Sequence, residues 1–367
     1  MAVQPVPFRL HIPDEALEDL RRRLASTRFP DEPALEPWAT GTSLAYVKDL
    51  VQYWRSGFDW REEERCLNGL RQFTVPLGGI DVHFIHEPCR RPGGIPLLLS
   101  HGWPGSVVEF RRLIPLLTER FTVVAPSLPG YTLSFRPGQR RFSVQEMADL
   151  FAELMSGVLG YARFAAQGGD WGGFISSALG WRHPEKLIGI HLNLLAIRRD
   201  SQPAPRTAEE RKYQEELAHW VKEGTGYQWI QGTRPQTLAY ALTDSPAGLA
   251  AWIAEKFYVW SGTDISRDDL LANISLYWFT GAIGSSFWPY YARMHGPWPI
   301  PEGITVDVPT GYAAFPKEIL RPPRSLAALT YTDIRRWTEM PRGGHFAALE
   351  QPEALAREIL EFFNALQ

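Results

Sequence analysis

The stretch AAQGGDWGGFISSALG, Ala165 to Gly180, constrains this chain more than any other. A short β-prone run, RFAAQG, enters it and a helical pattern, GGFISSALGWRH, leaves it, with Asp170 at the junction between Gly168-Gly169 and Trp171-Gly172. Small residues on both sides of a central side chain let a strand turn sharply into a helix and hold that side chain exposed under strain. A glycine-rich turn with an aspartate capping the helix is the plainer reading of the same letters. The rest of the chain decides between them.

The flanking segments repeat the strand-helix-strand rhythm of a parallel α/β sheet. IPLLLS ends at HGWPGS, FTVVAP follows after a helical stretch, and LIGIHLNLL succeeds the Asp170 helix. Upstream, FTVPLGGIDVHFIHE predicts a β-hairpin about Gly78-Gly79, because paired glycines supply the positive φ of tight hairpin turns. Two amphipathic helices precede it, one with Leu17, Leu20 and Leu24 on one face and one with Leu44, Val47, Leu50, Val51 and Trp54. After Ile197 the rhythm stops, and Arg198 to Pro301 reads as helical and crowded with aromatics, including Tyr227, Trp229, Trp252, Phe257, Trp260, Trp278, Trp288 and Tyr290. The α/β pattern returns with IPEGITVDVPTGYAAFP and closes on PEALAREILEFFNAL. The expected organisation is an N-terminal helical meander over 1–72, an α/β core over 73–197 and 302–367, and a helical lid over 198–301.

With 38 basic and 41 acidic residues the chain has no electrostatic reason to bind nucleic acid or an anionic membrane. Two cysteines, Cys66 and Cys89, suit reduced thiols, and the start MAVQPVPFRLHIPDE lacks the pattern of a secretory signal, so a cytoplasmic protein is expected. No HExxH, paired-Cys, P-loop or GxGxxG pattern occurs, so neither metal nor cofactor is expected; His83 and His86 read as polar positions in a strand. The sequence leaves a homo-oligomer open.

Two further segments stand in the chain order of the α/β-hydrolase fold, which the elbow resembles. In SHGWPGS, the loop after an early strand would give the Trp103 N–H to an oxyanion hole, and Trp171, after the nucleophile, would give the second. His101 more simply orders that loop. In MPRGGHFAALEQPE, His345 follows the last strand and is the expected base, with Gly343 and Gly344 letting its loop reach over the sheet. GYAAFPKEI offers Glu318 as its orienting acid, with Asp307 and Asp333 as competitors.

The carboxylate at the elbow defines the reaction. A serine attacking a saturated carbon would form an ether that no base could hydrolyse, whereas an aspartate forms an ester whose carbonyl water can attack. The substrate is then an epoxide or an alkyl halide. An epoxide also needs a proton for its departing oxygen, a role that suits lid tyrosines.

IPDEALEDLRRRLASTRFPDE, YWRSGFDWREEERCLNGLRQFTV, HGWPGSVVEF, GGDWGG, TRPQTLAYALTDSPAGLAAWI, GYAAFPKEI and RGGHFAALEQPE together resemble the microsomal-type epoxide hydrolases over essentially the whole chain. The resemblance implies Asp170 as nucleophile, His345 as base and Glu318 as its acid. It also implies Tyr227 and Tyr290 as the epoxide-activating pair, with Tyr291 the competing position for the second. A small-molecule epoxide and water are the implied partners; the aromatic-rich lid predicts an apolar, aryl-bearing or bulky epoxide, with Trp171, Trp229, Trp288 and Phe346 expected around the substrate. The chain departs from that family in Phe287-Trp288-Pro289 and in lacking the microsomal members' N-terminal membrane anchor, which implies a soluble protein. A haloalkane dehalogenase shares the Asp-Trp elbow but needs neither tyrosine nor meander. A silent ligand-binding member would have lost one of the catalytic positions.

Overall fold

The computed structural model describes residues 4–199 and 203–367. Its strands are β1 (Val6–Phe8), β2 (Gln72–Leu77), β3 (Ile80–Glu87), β4 (Ile95–Ser100), β5 (Phe121–Pro126), β6 (Phe164–Gly168), β7 (Leu187–Leu192), β8 (Thr310–Ala314) and β9 (Ile334–Glu339). They form one sheet in the order β1-β2-β3-β5-β4-β6-β7-β8-β9. The first three pair antiparallel, β3 meets β5 antiparallel, and every pair from β5 to β9 is parallel. Gly78 and Gly79, at φ 60° and 82°, make the hairpin turn between β2 and β3.

Strands β4 to β8 are nearly continuous runs of buried residues, as a sheet covered on both faces requires. The chain leaves β4 for β5 on one side and returns to β6 on the other. That reversal opens a crevice at the carboxyl ends of β4 and β6, the place where open α/β sheets hold ligands. The HGWPGS loop and Asp170 flank it.

Helix Asp14–Ala25 buries Leu17, Leu20 and Leu24, and helix Leu44–Ser56 buries Val47, Leu50, Val51 and Trp54. Two elements of this region lie outside the sequence reading: strand β1, and helix Trp60–Asn68, which Asp59 caps by accepting the Arg61 and Glu62 N–H groups. The extended reading of TVDVP is corrected to a single bridge from Val306 to Tyr331, with the strand itself beginning at Thr310.

Helices between Ala208 and His295 lie over the crevice. The longest-buried, Arg267–Thr280, is enclosed on all sides from Asp269 to Tyr277. It grips the loop after β4: Asn273 Nδ2 donates to the Pro104 carbonyl at 2.7 Å, Tyr277 Oη to the Gly105 carbonyl at 2.7 Å, and Ser106 Oγ to Asn273 Oδ1 at 2.7 Å. The N-terminal segment braces the same helix. Trp54 Nε1 donates to Ser275 Oγ at 2.9 Å, and the Arg111 guanidinium joins Glu63 to Asp269.

Arg111 is largely shielded from water and its two acids more so; Asp269 also pairs with Arg112, so removing Arg111 leaves the buried Glu63 carboxylate without its cation. Arg111→Ala should lower the unfolding free energy by about 3 kcal/mol, read as a fall in the urea midpoint at constant slope. An unmoved midpoint would make the bridge energetically neutral.

Candidate active site

Asp170 is the first residue of helix Asp170–Arg182 and sits at φ 47°, in the left-handed region that non-glycine residues avoid. The glycines around it are there for space. A Cβ on Gly172 would lie 1.8 Å from the Ser100 carbonyl oxygen, and one on Gly102 would lie 2.3 Å from Asp170 Oδ1. Without those side chains the two strand ends close together. Trp103 N–H then donates to Asp170 Oδ1 at 2.7 Å, and the Trp171 N–H reaches the same carboxylate.

His345 follows Gly343, at φ 101°, and Gly344, where a Cβ would lie 2.4 Å from the Trp260 carbonyl oxygen. The glycine lets the loop pass against the end of helix Pro246–Trp260, and the His345 N–H donates to that same carbonyl at 3.0 Å. The imidazole bridges two acids: Nδ1 is 2.7 Å from Glu318 Oε1 and Nε2 is 3.6 Å from Asp170 Oδ2. Glu318 Oε1 also accepts the Ile319 N–H at 2.7 Å. Asp307 instead accepts from Thr332 at the surface, and Asp333 pairs with Arg335. His101 is occupied on both ring nitrogens by backbone, Nδ1 at the Gly102 carbonyl and Nε2 at the Leu128 N–H.

Electrostatics follow from enclosure. Burial pushes the Asp170 carboxyl up, against the pull of His345 and the two backbone N–H groups. Burial also opposes charge on His345, but the adjacent Glu318 and Asp170 carboxylates outweigh it and raise the imidazole to about 9. A charged imidazolium between two carboxylates is therefore the resting arrangement at neutral pH.

Tyr227 and Tyr290 are buried together beside this carboxylate. Their ring centroids are 5.7 Å apart, Tyr227 stacks on Trp103 at 5.4 Å, and Tyr290 meets Trp171 edge-on at 4.8 Å. Tyr290 Oη is buried with no hydrogen-bond partner. Its neighbour Tyr291 faces away, stacked on His295 and Trp288. Two expected substrate contacts need correction. Trp229 is 59% exposed, on the outer face of helix Gly226–Thr233, and Trp288 lines a separate groove with Trp181 and Pro299. Phe346 does adjoin the site, buried behind His345 and stacked on Phe257.

Sequence reasoning passed over Glu109. It shares with Asp170, His345 and Asn193 the wall of a small cavity of about 20 Å³, room for one water molecule. Glu109 is half-buried, and burial raises its carboxyl to about 8, with His345 pulling the other way. Its Oε1 fills the space of a Gly105 side chain, 1.4 Å from an ideal Cβ there. The one available signal was glycine four residues before a glutamate in GSVVE. A larger cavity of about 770 Å³ reaches Tyr227 and Glu318 past Trp220, Trp252 and Lys256.

The chain matches the family model described as epoxide hydrolase N terminus over residues 5–110 and that of the alpha/beta hydrolase fold over residues 95–225. It is 41% identical to a putative epoxide hydrolase of Stigmatella aurantiaca, covering 98% of this chain and 85% of that protein. Epoxide hydrolase 1 of Oryctolagus cuniculus is 35% identical, with 98% and 89% covered. Among solved structures, Aspergillus niger epoxide hydrolase superposes with a TM-score of 0.90 at 31% identity, covering 100% of this chain and 97% of that one. The juvenile hormone epoxide hydrolase of Bombyx mori gives 0.88 at 30%, with 99% and 95% covered. Among the described residues no helix is long and apolar enough to cross a membrane.

The raised imidazole has a thermodynamic signature. Folding favours its protonated form, so the stability it contributes is complete below its unfolded value of 6.5 and is lost as pH rises through about 9. Wild type should therefore lose stability relative to His345→Gln across that window, measured by denaturant unfolding between about pH 6 and pH 10. A difference constant with pH would exclude a charged His345 in the folded protein.

Proposed function

This chain belongs to the epoxide hydrolase family, and we propose that it opens an apolar, aryl-bearing or bulky epoxide through a covalent ester on Asp170. The observation that carries the reading is the divided carboxylate: Oδ1 is tied to the Trp103 N–H at 2.7 Å while Oδ2 lies 3.6 Å from His345 Nε2. Oδ2 attacks one carbon of the ring. The carbon–oxygen bond breaks, and the departing oxygen takes a proton from Tyr227 or Tyr290. The alkyl ester then holds its carbonyl oxygen at the Trp103 and Trp171 N–H groups.

With Asp170 neutralised as an ester, the imidazolium passes its proton to the tyrosinate, and a water in the small cavity between His345 and Glu109 attacks the ester carbonyl carbon as the neutral imidazole accepts its proton. The oxyanion collapses, the ester carbon–oxygen bond breaks, and His345 returns the proton to the diol oxygen. The second proton of the water, left on Asp170, passes to His345 and restores the imidazolium between two carboxylates. Epoxide and water become a vicinal diol and nothing else is consumed. Aromatic walls from Trp103, Trp171, Phe287 and Tyr290 support an apolar substrate, since flat rings bury hydrophobic surface well. Water, the imidazole and the N–H donors suffice for the chemistry, so the mechanism calls on no cofactor.

Dehalogenation of an alkyl halide retains one supporting observation: the indole N–H groups of Trp103 and Trp171 are buried without partners and could hold a halide. A halide needs no proton, which leaves the tyrosine pair unexplained, so the epoxide reading accounts for more of the site.

His345→Gln should still form the ester but not release it. Brief mixing with styrene oxide, acid quench and peptide mass spectrometry should find the full epoxide mass on the Asp170 peptide. An adduct from an alkyl halide alone would turn the reading to dehalogenation. Asp170→Asn should lose about 10⁴-fold or more in turnover, and Tyr227→Phe or Tyr290→Phe about 10²-fold in adduct formation; full activity in Asp170→Asn would remove the nucleophile.

A further inference from the structure

Tyr227 can act as an acid only if its hydroxyl proton is free to leave toward the substrate. Two neighbours with no part in the chemistry above bear on that. Gln228, the next residue of helix Gly226–Thr233, is buried, and its Nε2 donates to Tyr227 Oη at 2.8 Å. Its Oε1 accepts from an Arg293 guanidinium N–H at 2.9 Å.

The direction of the first bond is fixed by the second. A guanidinium carries donors only, so the amide oxygen of Gln228 must face Arg293 and its NH₂ must face the phenol. A phenol oxygen that accepts an N–H keeps its own hydrogen for another acceptor.

Arg293 is placed to act on the site. It stands three residues after Tyr290 on helix Trp288–His295, so both side chains share one face of that helix. Its guanidinium lies over the rings of Trp171 and Trp298 at 5.7 and 5.6 Å. Burial and the nearby Arg199 disfavour its charge, while the Tyr290 and Tyr227 hydroxyls, once ionised, and the Asp170 carboxylate favour it. Burial raises the Tyr227 hydroxyl above its usual range, while the Gln228 hydrogen bond and the Arg293 charge are among the influences that offset it. Lys256 adds a second cation, 4.4 Å from the Tyr227 ring centroid.

We propose that Gln228 and Arg293 form a positioning relay that commits Tyr227 to donate its proton to the epoxide oxygen and stabilises the phenolate left behind. As the carbon–oxygen bond breaks, the Tyr227 proton passes to the departing oxygen, and the Gln228 N–H bond strengthens onto a charged acceptor. The relay rests on the covalent mechanism proposed above. It concerns ring opening and leaves ester hydrolysis to His345.

The test is single-turnover adduct formation and decay with styrene oxide, followed by quenched-flow peptide mass spectrometry. It compares wild type, Gln228→Met, Tyr227→Phe and the double variant. Gln228→Met should slow adduct formation about 10- to 100-fold, the usual worth of a hydrogen bond to a charged group, with adduct decay unchanged. In the Tyr227→Phe background the same change should have no further effect, because the relay has no other target. Gln228→Glu guards against simple misfolding: it keeps the pairing with Arg293 but makes the phenol the donor to the carboxylate, and should slow adduct formation at least as much. Unchanged adduct formation in both Gln228 variants, or an equal slowing with and without the Tyr227 hydroxyl, would overturn the relay. Wild-type adduct formation by Tyr227→Phe, or no adduct from wild type, would instead bring down the mechanism on which it rests.

Discussion

One backbone conformation organises this molecule: the left-handed φ of 47° at Asp170. An ordinary residue there costs on the order of 1–3 kcal/mol, and the surroundings must hold it. Three bare positions do so. Gly172 passes the Ser100 carbonyl where any side chain would collide, Gly168 turns under Gly172 in the same way, and Gly102 makes room for the carboxylate itself. The consequence is chemical. With those contacts closed, the Trp103 and Trp171 N–H groups converge on one carboxylate from different segments, which no regular strand or helix would allow.

Enclosure then sets the charges. Asp170, His345 and Glu109 share a site that protein surrounds, so burial and one another's charges set their protonation. The imidazolium is held by two carboxylates. Under the proposed mechanism, alkylation neutralises Asp170 and removes one of them, so the imidazole gives up its proton more readily at the step that requires a base. Burial raises the Glu109 carboxyl to about 8, which favours its neutral form beside the water cavity. The covalent step would itself switch the histidine from counter-ion to base.

Much of this was legible in the letters because the features are local or ordered along the chain. Glycines at a strand-helix junction, the Gly78-Gly79 turn and the order of Asp170, Glu318 and His345 each depend on short-range geometry or on succession. What stayed hidden depends on which way a side chain faces in a helix whose neighbours are unknown. Trp229 follows Tyr227 by two residues, about half a helical turn, so the same helix buries one and exposes the other. In a lid this rich in aromatics, ring content does not reveal that direction. Tyr290 and Tyr291 pose the same problem, and only packing against Trp171 and Trp103 distinguishes them. Glu109, Gln228 and Arg293 carry no motif. Their interest arises from burial beside groups that are distant in sequence, which periodicity cannot encode.

The lid and the N-terminal segment are therefore more than a cover. Helix Arg267–Thr280 hydrogen-bonds the carbonyls of Pro104 and Gly105, immediately after the residue whose N–H holds Asp170. The N-terminal segment is fastened to that helix through Trp54 and through Arg111. Displacing the segment would loosen the helix, and a loosened helix would release the loop that supplies the Trp103 N–H. Under the proposed mechanism that donor holds the oxyanion, whose binding is sensitive to shifts well below the length of a hydrogen bond, so residues far from the carboxylate bear on its geometry. The contacts of Trp54 and Glu63 thereby bear on the site, although both lie far from it in sequence. The donor at Trp103 is only as rigid as the succession of contacts behind it.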